Sequence, residues 1–108
     1  MKTHGIGITA ATALLLAFMA IPALAADTAR GQELVNSLGC KGCHKVGDSG
    51  GTLGPALDDV GKRMTAEQIR QKLVNPKATT PHSIMPSFQR LPEEDLQALV
   101  SYLQTLKR

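Results

Sequence analysis

Tryptophan is absent from this chain of 108 residues, tyrosine occurs once and phenylalanine twice. A core built on stacked aromatic rings is therefore excluded. Cysteine is equally scarce: Cys40 and Cys43 stand three positions apart, so a bridge between them would close a tiny loop and remove little unfolded-state entropy. The longest apolar run, Ile6 to Ile21, falls short of the ~20 residues that a spanning helix wants, and Gly5 and Gly7 weaken its start. Charge of one sign is missing too, with 12 Lys and Arg against 9 Asp and Glu. The basic residues are scattered and are not interleaved with aromatic residues into a stacking surface for nucleic acid. The length allows one small domain and excludes a multidomain enzyme.

The N-terminus has a pattern of its own. Lys2 precedes the apolar run, and Pro22 and the small-x-small tripeptide Ala23-Leu24-Ala25 follow it, as in a secretory signal peptide. This predicts cleavage between Ala25 and Ala26, so that residues 1–25 are removed, no membrane anchor is retained, and the domain of residues 26–108 is periplasmic. The remaining 83 residues have Phe88 and Tyr102 as their only aromatic residues. Apolar burial alone is marginal at that size, and such a domain needs a staple.

Three helices are expected. Leu34, Val35 and Leu38 fall at helical spacing, with Asp27 or Thr28 placed to cap a first helix that ends near Gly39. Residues 45–61 read as loop, because Gly47, Gly50, Gly51, Gly54 and Pro55 crowd it. Thr65-Ala66-Glu67-Gln68 fits a capping box for a second helix closed by Pro76. Four prolines from Pro76 to Pro92 predict an extended loop. A final helix opens with Pro92, Glu93, Glu94 and Asp95 and is expected to finish with Lys107 and Arg108 at its negative end. Leu96, Leu99, Val100, Leu103 and Leu106 form its apolar stripe.

The most specific chemistry lies in Cys40-Lys41-Gly42-Cys43-His44, the C-x-x-C-H attachment motif for c-type haem. Positions i, i+3 and i+4 of a helical turn face one way. Cys40 and Cys43 can thus form thioethers with the two haem vinyl groups while His44 reaches the iron. Gly42 between them presents no side chain to a flat macrocycle. A dithiol redox pair would need a thioredoxin-like βαβ context, which this strand-poor sequence does not offer. A structural zinc site needs four ligands, and His82 is the one further Cys or His after the leader. A plain disulfide is the third alternative, because export permits oxidation.

With Gly54-Pro55-Ala56-Leu57 following the glycine-rich loop, Ile84-Met85-Pro86-Ser87-Phe88 later and a closing amphipathic helix, the chain resembles a small bacterial class I cytochrome c. The resemblance implies an all-α cytochrome c fold, three short helices and long loops wrapped around one covalent haem. It further implies that Met85 is the second axial ligand and that the Pro55 carbonyl accepts a hydrogen bond from His44, although Gly54-Pro55 is also a plain turn signal. His82, three residues before Met85, is a rival ligand. Met64 fits a hydrophobic staple with Ile69 better than ligation. In that family a glycine and an aromatic of the first helix pack across the last. Gly31 and Val35 take those places here, facing Leu99 and Tyr102, and valine for an aromatic implies a thinner helix contact.

Iron held by both His and Met has no open position, which predicts a monomeric single-electron carrier between membrane-bound or periplasmic oxidoreductases, not an enzyme. A haem-binding subunit, or a sensor with a displaceable distal ligand, is the alternative. Lys41, Lys45, Lys62 and Arg63 are the cations expected to orient an acidic partner.

Overall fold

The computed structural model describes residues 1–3, 5 and 23–108. The apolar run of the expected leader lies outside the described residues. Among the described residues no helix is long and apolar enough to cross a membrane.

Helix α1 spans Ala23–Ser37 and runs unbroken through the Ala25–Ala26 bond. It therefore begins upstream of the expected cap. Thr28 lies inside the helix, where its hydroxyl donates to the Ala25 carbonyl at 3.0 Å. The local cause is a stretch of alanine and leucine, the strongest helix formers, directly before Asp27. Beyond Ser37, Gly39 adopts a left-handed φ of 80°, which turns the chain out of the helix.

Helix α2, Val60–Arg63, falls in and beyond the stretch expected to be loop. Tertiary anchoring holds this single turn: Leu57 and Val60 are buried, and Arg63 reaches back to Asp59 at 2.8 Å. Helix α3, Ala66–Val74, has the expected capping box. The Thr65 hydroxyl accepts from Gln68 N at 3.2 Å, and the Gln68 side chain accepts from Thr65 N at 2.9 Å. Replacing Thr65 by alanine is expected to cost about 1 kcal/mol, seen as a lower denaturant midpoint with an unchanged slope.

Helix α4 covers Glu93–Gln104 and buries Leu96, Leu99, Val100 and Leu103. It stops short of Lys107 and Arg108, which therefore do not form its last turn. The tail turns instead onto α2 and the loop before it. Gly61 N donates to the Leu106 carbonyl at 2.8 Å, and Arg108 N donates to the Asp58 carbonyl at 2.9 Å. Those partners, far away in sequence, end the helix where its composition would have allowed another turn.

Helices α1 and α4 form the main packing interface. A Cβ on Gly31 would run into the Ala98 carbonyl and lie 2.5 Å from Tyr102 Cβ, so the backbones meet at a spacing only glycine allows. Val35 is 1% exposed and Leu99 0%. Valine in place of an aromatic thus still leaves a fully buried contact. At the edge of the interface Arg30 grips both Asp95 oxygens, at 3.0 and 3.2 Å. Arg70 links α3 to Glu93 at 2.7 Å. Its hydrogen bond holds the Glu93 carboxyl below the usual range. The small contribution of this exposed pair is present above the ordinary carboxylate pKa and fades as pH falls through the lowered one.

Candidate functional site

Between the Cys40–Gly42 turn, α2, α3 and the loop before α4 lies a cavity of about 430 Å³, within the 300–1,000 Å³ range of small-molecule sites. The turn is 3₁₀, closed by hydrogen bonds from Cys43 N at 3.3 Å and His44 N at 2.9 Å to the Cys40 carbonyl. The second of these spans i to i+4, so Cys40, Cys43 and His44 all line the same cavity. Both thiols are free and half-buried. Burial pushes the Cys40 thiol above its ordinary pKa; once alkylated to a thioether, the sulfur has no proton to lose.

His44 is braced from behind. Its Nδ1 lies 2.7 Å from the Pro55 carbonyl, which requires the proton on Nδ1 and leaves Nε2 as the nitrogen with a free lone pair. Gly54 lies flat against the ring: a Cβ there would come within 2.5 Å of His44 Cε1 and 2.8 Å of Nδ1. At Gly51 a Cβ would strike the Gly42 carbonyl and come within 3.2 Å of Cys43 Cα. Two glycines that read only as loop punctuation in sequence are thus the wall behind the imidazole and the attachment turn. The signal was a motif glycine next to Pro55, and its meaning depends on a contact across the loop.

Met85 lines the cavity from the long proline loop, as do His82 and Ile84. Met85 is half-buried and packs against the core, whereas His82 is exposed. The loop is pinned to α3 just after Met85, where the Ser87 hydroxyl donates to the Val74 carbonyl at 2.5 Å and Phe88 N donates to the Leu73 carbonyl at 2.8 Å; within the loop, Met85 N donates to Ser83 Oγ at 3.2 Å. Met64 also lines the cavity and packs, like Ile69, in the hydrophobic cluster. Leu57, Val60, Ile69, Leu73 and Leu103 complete apolar walls. Among the described residues no group of three or more His, Cys, Asp or Glu side chains is arranged to hold a bare metal ion.

Residues 28–107 match the family model for cytochrome c. The chain belongs to the cytochrome c family. It is similar to cytochrome c oxidase subunit 2 of Alkalihalophilus pseudofirmus, at 30% identity over 86 residues, which cover 72% of this chain and 25% of that protein. This cytochrome c thus spans about a quarter of that relative's length. Its fold is similar to that of a chain in the crystal structure of SoxXA from P. pantotrophus, with a TM-score of 0.67, 23% identity, and coverage of 75% of this chain and 82% of that one. The all-α cytochrome c fold expected from sequence is the fold observed.

The cofactor of the family is covalently attached haem c, and the residues of this cytochrome fit it. Two unbridged thiols and an imidazole stand on one turn, and the cavity they border is walled by aliphatic side chains. That donor set is what two vinyl thioethers and one axial bond require.

Proposed function

We propose that this cytochrome is a periplasmic carrier of single electrons, with one haem attached through Cys40 and Cys43 and its iron held by His44 and Met85. The observation that carries the reading is the convergence of the braced His44 and the pinned Met85 on one apolar cavity. When bound, the haem supplies one-electron Fe(III)/Fe(II) chemistry, and axial methionine raises its potential.

The protein's own part is positioning. The Pro55 carbonyl and Gly54 fix the plane and tautomer of His44, and such outer contacts set ligand basicity. The hydrogen bonds from Ser87 and Phe88 to α3 tie the Met85 loop to the rest of the fold. The aliphatic walls would cover the haem, and with His44 and Met85 both bound to its iron no position would remain for oxygen or peroxide. Export rests on the N-terminal sequence pattern. Mass spectrometry of the secreted protein tests it, with Ala26 expected as the first residue.

In the ferric protein, a far-red sulfur-to-iron absorption band is expected, present in His82→Ala and lost in Met85→Ala together with a fall in midpoint potential. A band that survives in Met85→Ala, or is lost in His82→Ala, overturns the ligand assignment.

The similarity to an oxidase subunit favours a second reading, a domain that works docked within a larger redox complex. Sedimentation of the purified protein separates the two, with a monomer expected for the free carrier.

A further inference from the structure

A haem has two propionate carboxylates, and burying the edge that bears them is costly unless each finds a charged partner. No Asp or Glu is among the described residues that line the cavity, and the side chains of permanent positive charge there are Arg63 and Lys72. They stand on different elements, at the end of α2 and in the last turn of α3. A second, shallower groove shares Arg63, Met64 and Lys72 with the cavity and continues over Glu67, Gln68, Gln71 and Thr79. The two cations therefore mark the place where the cavity gives way to a polar surface.

Each cation is held and still has donors to spare. Arg63 Nε donates to Asp59 at 2.8 Å and Nη2 donates to the Ala56 carbonyl at 3.0 Å. These bonds fix the guanidinium plane and use two of its five N–H groups. Lys72 Nζ donates to Thr80 Oγ1 at 2.5 Å, leaving two ammonium protons. Thr80 itself lines the cavity and belongs to the loop that carries Met85.

Resting on the haem assignment above, we propose that Arg63 and Lys72 are the seat of the two propionates, and that Lys72, through Thr80, ties this seat to the Met85 loop. Arg63 offers a planar, fixed fork suited to a carboxylate, and Lys72 a compact point charge. Charge-assisted bonds of this kind are about twice as strong as neutral ones. This assignment takes Arg63 away from the partner-steering role expected from sequence, because its side chain lines the cavity.

The test compares haem-loaded wild type with Lys72→Gln, Lys72→Arg, Arg63→Lys and, as a control for net charge, Lys107→Gln, whose parent residue is exposed and does not line the cavity. Resonance Raman propionate bending bands are expected to shift in Lys72→Gln and Arg63→Lys and to stay in place in Lys107→Gln. The midpoint potential is expected to fall in Lys72→Gln beyond any fall in Lys107→Gln, and to recover in Lys72→Arg. The far-red band reports on Met85 separately in every variant. Unmoved propionate bands in Lys72→Gln, with a potential equal to that of Lys107→Gln, overturn the proposal while leaving the haem assignment intact. A wild-type protein without a thioether-haem spectrum overturns both.

Discussion

Exchanging Cys40 and Cys43 together for alanine is expected to abolish most of the far-UV helical signal, not merely to release the cofactor. The cavity of about 430 Å³ lies between the very helices and loops that make up the domain. Without the haem the aliphatic walls of Leu57, Val60, Ile69, Leu73 and Leu103 lose the partner that would cover them. A single small core supplies only about 3–5 kcal/mol, so the balance turns against folding. Circular dichroism of the double variant, with and without denaturant, checks this. A cooperative transition with native-like ellipticity would show that α1, α3 and α4 stand without the haem.

The second large effect is expected at a residue far from any ligand. Gly31→Val places a branched side chain where even one carbon meets the Ala98 carbonyl and Tyr102 Cβ. Both obstacles belong to helix backbone or to an atom fixed directly to it, so neither can swing aside. Relief requires α1 and α4 to separate, which opens gaps around Val35 and Leu99. Overpacking of this kind costs about 3 kcal/mol, most of the margin of so small a domain. Haem incorporation in cells is expected to collapse in step, measured as the yield of covalently loaded protein.

Where local chemistry decides structure, the sequence was readable. The Thr65–Gln68 box, the stripe on α4, the left-handed exit at Gly39 and the spacing of Cys40, Cys43 and His44 each depend on residues within one or two turns of one another. The features that escaped depend on partners distant in the chain. α2 is one turn of helix, too short to stand on propensity, and it forms because Val60 is buried and Gly61 bonds to the tail at Leu106. The same tail contacts stop α4 before Lys107. Gly54 carried a turn signal in sequence, and only the fold reveals the imidazole lying on it. α1 runs ahead of Asp27 because the alanine and leucine residues before it continue the helix more readily than Asp27 or Thr28 caps it.

The pairing of α1 with α4 also sets an order of events in time. A chain made from its N-terminus presents residues 40–44 before residues 93–104 have left the ribosome. Until α4 arrives, α1 has nothing to close against, and the tail that secures Gly61 is the last segment of all. The attachment turn thus passes through a period in which both thiols are accessible on an open chain. The fold closes around them only when the final helix is present and the haem fills the cavity. Dependence of the fold on its cofactor thus leaves both thiols within reach until the thioethers form.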